Sequence, residues 1–154
     1  MAGKTNNYAQ GLIDLIFQAI VTGGSSFLNT TGFTLAANGG GTPATNLYVS
    51  LHTADPGPAG TQSTSEAAYT GYSRVAVART TGGWSTTNQT ISNVAAVTFP
   101  TSTSGPEVET YFGIGLESSG ATPLLYSGQL TNSLTVNNGV TPSFAIGALT
   151  ITEA

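Results

Sequence analysis

His52, the single histidine of the chain, has Ser50 two residues before it and Asp55 three after. Hydroxyl, imidazole and carboxylate are the parts of a nucleophilic triad, in which the base touches the nucleophile on one side and an orienting acid on the other. Six residues of strand and turn, from Ser50 to Asp55, hold these groups in the wrong geometry, because alternate side chains of a strand stand side by side and nearly parallel. The expectation is that His52 and Asp55 bond to backbone at the start of the following loop, as Asp commonly does in turns.

Glu107 and Glu109 are the only closely spaced carboxylates. On an extended segment they lie roughly 7 Å apart on one side, a separation within the range of inverting glycosidases. The preceding stretch, Thr101 to Pro106, is small and polar and offers a sugar no aromatic platform, so the pair reads as solvated loop acids. Metal chemistry has no foothold in the pattern: cysteine is absent, no paired-histidine motif occurs, and the acids are too dispersed for a calcium loop. Gly39-Gly40-Gly41-Thr42 lacks the Gly-Lys-Ser/Thr ending of a phosphate loop, and Gly113-Ile114-Gly115 sits within a strand pattern rather than ahead of a helix. No catalytic, cofactor-binding or metal-binding residue is assigned, and no cofactor is expected.

The cations are few enough to weigh singly: Lys4, Arg74 and Arg79. Arg74 and Arg79 flank one strand pattern, five residues apart and so on opposite faces. They read either as edge charges that discourage unwanted pairing or as an inter-subunit salt bridge to Glu66 or Glu117. With 6% of residues charged, against roughly a quarter in ordinary soluble domains, the surface is neutral and built from Thr, Ser, Asn and Gln. Such a surface suits a subunit covered by neighbours, since buried unpaired charge is costly, and an obligate homo-oligomer, a trimer, is expected. A formal net charge of −4 and no basic cluster exclude a nucleic-acid partner. No run approaches the ~18 apolar residues of a membrane span, so no membrane partner is expected. Leu12–Val21 is interrupted by Asp14 and Gln18 and has no basic n-region, so it does not read as a signal peptide.

The elements that must carry these residues are mostly strands. One helix is expected near the N-terminus, capped by Asn6 or Asn7, with Tyr8, Leu12, Leu15, Ile16 and Ala19 at helical spacing and Gly23-Gly24 as its stop. Ile13, Phe17 and Ile20 widen the apolar stripe, so the helix should be covered by a sheet of its own domain, by another subunit, or by both. Leu47-Tyr48-Val49-Ser50-Leu51-His52-Thr53 alternates with Leu47, Val49 and Leu51 on one face, and Tyr72–Arg79 is a second strand. Further strands are expected near Gln89–Asn93, Ala96–Phe99, Tyr111–Leu116, Leu124–Ser127, Ser133–Val136 and Ser143–Thr152, with a turn at Asn137-Asn138-Gly139. Trp84, after Gly82-Gly83, reads as core or interface. Short strands with frequent turns indicate a mainly β fold, a β-sandwich or jelly-roll-like domain with one N-terminal α-helix. The expected division is 1-46, helix and arm making inter-subunit contacts, and 47-154, the β-sandwich domain, joined near Gly39-Gly40-Gly41.

The run Leu47-Tyr48-Val49-Ser50-Leu51-His52-Thr53-Ala54-Asp55-Pro56-Gly57, then Gly60-Thr61-Gln62, Glu66, Tyr69-Thr70-Gly71-Tyr72 and Arg74-Val75-Ala76-Val77, resembles a family of small tailed-phage virion proteins. Phe112-Gly113-Ile114-Gly115, Leu124-Leu125-Tyr126-Ser127-Gly128 and Gly139 to Phe144 extend the similarity, which spans roughly Leu47 to Thr152 and is most specific in its first block. Members are commonly labelled tail-fibre proteins, and β-proteins of this size also serve as head decoration, or cement, proteins that sit as trimers where capsomers meet. The resemblance implies a non-enzymatic structural subunit of a bacteriophage virion, made in the host cytoplasm. The absence of coiled-coil heptads and repeats directs the expectation to a capsid decoration protein on the capsid surface, with the major capsid protein as its partner and itself as homo-oligomer. A tail-fibre or receptor-binding module is the alternative, and it would present Trp84, Tyr69 and Tyr72 on an exposed patch.

Overall fold

The computed structural model describes residues 4–19 and 43–153. In chain order these form α1 (Asn6–Gln18), β1 (Asn46–His52), β2 (Val75–Ala78), β3 (Trp84–Thr87), β4 (Thr90–Asn93), β5 (Val97–Thr98), β6 (Glu107–Gly115), β7 (Tyr126–Val136), β8 (Ser143–Phe144) and β9 (Thr150–Thr152). Among the described residues the fold is mainly β with antiparallel sheets and one N-terminal helix, the class that the short alternating segments indicate. Its contacts fall into two compact units, one from the described residues of Met1–Thr45, Ala78–Ala96 and Phe144–Ala154, the other from Asn46–Val77 and Val97–Ser143.

In the first unit α1 packs on β3 and β4. Ala9, Ile13 and Phe17 recur every four residues and are buried with Leu15, as a core-facing helical stripe requires. Phe17 meets Trp84 edge-on with ring centroids 4.9 Å apart. The cap is Thr5 rather than Asn6 or Asn7: its Oγ1 accepts from the Tyr8 amide at 3.4 Å. The helix stops at Ala19, whose φ of +54° breaks the spiral; Ile20, the expected Gly23-Gly24 stop and the Gly39–Thr42 connector lie outside the described residues. The polar residues that interrupt the apolar stretch are used internally. Gln18 Nε2 donates to the Trp84 carbonyl at 2.8 Å, and Gln10 Nε2 to Asp14 Oδ1 at 2.9 Å.

Strands β3 and β4 form a hairpin from Trp84↔Asn93 to Thr87↔Thr90. Its two turn residues, Asn88 and Gln89, both take positive φ, the conformation that matches the twist of a two-residue hairpin. Ile91 of β4 pairs with Ile151 of β9. Asn93 holds the sheet's end: Nδ2 donates to Ala95 O and Ala145 O, and Oδ1 accepts from the Leu149 amide. Arg79 donates Nε to Ile16 O at 2.6 Å, Nη2 to Leu15 O and Nη1 to Ala44 O, placing a cation on the carbonyls of the helix's last turn.

The second unit is built on a four-stranded sheet of order β2-β1-β6-β7. Its antiparallel register runs from Tyr48↔Gly115 to His52↔Tyr111 between β1 and β6. Leu47, Val49 and Leu51 are buried on one face of β1 as the alternation indicates, yet Ser50 and His52 on the other are buried too. Strand β6 begins at Glu107, four residues earlier than expected, so both glutamates lie on a strand and not in a loop. It pairs with β7 over Glu107↔Val136 to Glu109↔Leu134 and again over Tyr111↔Gln129 to Ile114↔Tyr126. The register shift between these stretches lets one strand run where the sequence reads two, Leu124–Ser127 and Ser133–Val136. The Tyr72–Arg79 strand shrinks to Val75–Ala78, and the Ser143–Thr152 segment divides into β8 and β9. The expected turn after β7 forms, with Val140 N donating to Asn137 O at 3.0 Å and Gly139 at φ +85°.

Candidate functional site

The second unit gathers most of the residues singled out for chemistry. Ser50 and His52 bond directly, Oγ to Nε2 at 2.8 Å, while His52 Nδ1 faces the Thr64 carbonyl at 2.8 Å. A carbonyl only accepts, so Nδ1 carries the proton and Nε2 accepts from the serine hydroxyl. Side by side on one face of β1, the two side chains reach each other. They do not extend to a triad, because Asp55 Oδ1 accepts from the Gly57 amide at 2.8 Å in its own turn, the backbone role expected of it. Burial is the leading cause that lowers the imidazole's pKa. Both side chains are wholly buried, and Gly113 of β6 lies directly across them. A Cβ at Gly113 would sit 2.6 Å from His52 Nε2 and 2.7 Å from Ser50 Oγ, so no space remains there for a substrate.

Beside this pair lies an ion pair whose arginine is buried and whose glutamate is half-buried. Arg74 donates Nε to Glu66 Oε1 at 2.6 Å and Nη2 to Oε2 at 2.7 Å, the bidentate fork that guanidinium and carboxylate favour. Its remaining donors reach Glu117 O at 3.0 Å, Gly120 O at 2.8 Å and Ser63 Oγ at 3.4 Å. Tyr72 donates its hydroxyl to Glu66 Oε1 and accepts from the Leu51 amide, and burial pushes its phenol pKa far up. The partner proposed from sequence, Glu66, is therefore right, but the bridge lies within one chain, and Glu117 contributes its carbonyl instead of its carboxylate. Neither arginine is a free edge charge. Gln62 completes the clasp: buried, it accepts from Glu117 N and Thr122 Oγ1 and donates to Glu117 O. Sequence reasoning missed Gln62, since a glutamine in a polar loop carries no signal of burial. Its side chain occupies the space left by Gly115, where a Cβ would lie 2.0 Å from Gln62 Cδ.

The second acidic group reverses its sequence reading. Glu107 Oε1 accepts from the Ala68 amide at 2.8 Å and the Tyr69 amide at 3.1 Å. Glu109 is fully buried, and neither of its oxygens meets a hydrogen-bond partner of good geometry. Burial first, and the Glu107 carboxyl beside it second, push its pKa up to about 8. Tyr69, raised to about 12 by burial and then by Glu109 and Glu107, donates its hydroxyl to Pro100 O at 3.0 Å. Both lie on β6, and Glu109 is buried, so these are not solvated loop acids.

The aromatic patch required for ligand capture is absent from the three residues that were to form it. Trp84 and Tyr69 are buried, and Tyr72 packs against Tyr69 and Phe99 at centroid distances of 5.3 and 6.2 Å. Among the described residues no group of three or more His, Asp or Glu is placed to hold a metal ion, and no helix is long and apolar enough to cross a membrane. The clusters hold loops in place: residues 53–74 and 116–124 are tied to β1 and β6 by bonds whose donors and acceptors are already used.

A family described as the podophage GP4 fiber I protein gp80 matches residues 33–152 of the 154. No curated protein matches the chain.

Proposed function

The chain belongs to the family of the podophage GP4 fiber I protein gp80, and from that premise we propose that it is a non-enzymatic structural subunit of the fibre of a short-tailed phage particle. The observation that carries this reading is the family match over residues 33–152. The closed polar clusters support it: the serine, histidine and glutamates that could do chemistry are packed among protein atoms and serve to fix loops. As a fibre subunit the chain assembles with copies of itself, in keeping with a chain in which only 6% of residues are charged, and trimers are the expected unit.

A second reading, capsid decoration, is favoured by a specific feature: the sequence has neither heptads nor repeats to build a long shaft. On that reading the major capsid protein is the partner, the capsid surface the location, and residues 1–46 a docking arm. Quantitative mass spectrometry of purified virions separates the two. A copy number far below that of the major capsid protein fits the fibre, one comparable with it fits decoration, and absence from purified particles contradicts both.

A further inference from the structure

Glu109 presents a charge problem that the rest of the chain cannot solve. A carboxylate removed from water needs a cation or several donors, and Glu109 has neither. All three cations are engaged elsewhere, Lys4 with Glu153, Arg74 with Glu66, and Arg79 with the carbonyls of α1. The groups facing it are few. From β6 comes Glu107; from the 66–70 segment comes Tyr69, a neutral phenol committed to Pro100 O; and β7 opposes it with Leu134. Glu107 spends Oε1 on two backbone amides, and its carboxyl is the side-chain group that Glu109 meets within hydrogen-bond reach. A metal ion needs more oxygen ligands than these two side chains offer, whereas a proton needs only one donor and one acceptor.

We propose that Glu107 and Glu109 share a single proton, and that this proton latches the start of β6 to the segment carrying Ala68 and Tyr69. Glu109 carries the proton and donates it toward Glu107, whose Oε1 is already held by the Ala68 and Tyr69 amides. When the proton is lost to solvent, two adjacent carboxylates repel inside the fold, and the hold of Glu107 on the Ala68 and Tyr69 amides loosens. The sign follows from linkage: the closed form keeps a proton that the opened form releases above the ordinary carboxylate range, so opening becomes easier as pH rises through neutrality. The inference is independent of where in the particle the protein resides.

Hydrogen exchange at the Ala68 and Tyr69 amides, corrected for the intrinsic rate, tests it on the full chain. In the native protein the opening constant should rise roughly tenfold per pH unit between about pH 5 and pH 8 and then level off. In Glu109→Gln, which keeps the shape and cannot ionise, it should be independent of pH. Equal slopes in the two proteins would overturn the proposal, as would a flat native profile. Should Glu109→Gln fail to fold, a carbon-13 titration of the native glutamate carboxyls decides: one glutamate titrating near 8 upholds the shared proton, and all titrating in the ordinary range refute it.

Discussion

His52 sits in a network with one acceptor on Nδ1 and one donor on Nε2, so a second proton would have to displace the Ser50 bond inside a closed space. Its folded pKa therefore lies below the ordinary 6.5, and the folded state binds fewer protons than the unfolded chain. That contribution is fully present above pH 6.5 and is lost as pH falls below it, the opposite limb to the one Glu109 produces. A thermal-melt series is expected to show a midpoint that drops below pH 6.5, and His52→Gln should flatten that drop. Arg74 supplies a second test. Arg74→Met leaves the half-buried Glu66 without its cation and should cost about 2–3 kcal/mol, while Arg74→Met with Glu66→Leu should recover most of it, measured as a double-mutant cycle in urea. The rarity of arginine made Arg74 conspicuous in the sequence. Whether its partner lay in the same chain was not legible, because the choice depends on how the loops of 53–74 and 116–124 fold back. Glu109 was hidden for a different reason. The alternation Glu107, Glu109 looks like the solvent face of a strand, and only the covering 66–70 and 100–104 segments make that face interior.

Strands recognisable by alternating apolar residues, β1 above all, appear where the pattern places them. Strand β3, Trp84-Ser85-Thr86-Thr87, was not anticipated because it has one apolar residue; it forms because the Asn88-Gln89 turn returns the chain and Trp84 is covered by Phe17. Strand β6 was read too short since its first half is acidic, and β7 was read as two because the register shift falls on its polar middle. The Trp84–Phe17 contact is the keystone between helix and hairpin. Trp84→Ala should destabilise the first unit by roughly 3–5 kcal/mol, visible in a urea transition followed by circular dichroism as loss of α1's helical signal at lower urea than in the native chain. Retention of the helical signal through the transition would show that α1 is held by something else. For the same reason, removing residues 1–46 strips Phe17 from the core of that unit, so a failure of the shortened chain to join particles would report folding as well as docking.

Across the whole molecule the distribution of charge and the family agree. A chain with so few ionised groups, whose arginines are both turned inward, presents a neutral exterior of hydroxyl and amide groups, the kind of surface that can be covered by neighbouring subunits without stranding a charge. Virion-protein character was legible in the run from Leu47 to Val77, the same run that holds the clasp residues His52, Gln62, Glu66, Tyr72 and Arg74. Position within the particle was not, since head and tail sites both select neutral β-rich surfaces and the difference lies in a partner chain. Cryo-electron microscopy of the intact virion, reconstructed without imposed symmetry and fitted with the β2-β1-β6-β7 sheet, is the most direct measurement of that position. Density for this sheet in fibres attached to the tail is the predicted result; density confined to the capsid lattice, or none anywhere in the particle, would contradict the fibre assignment.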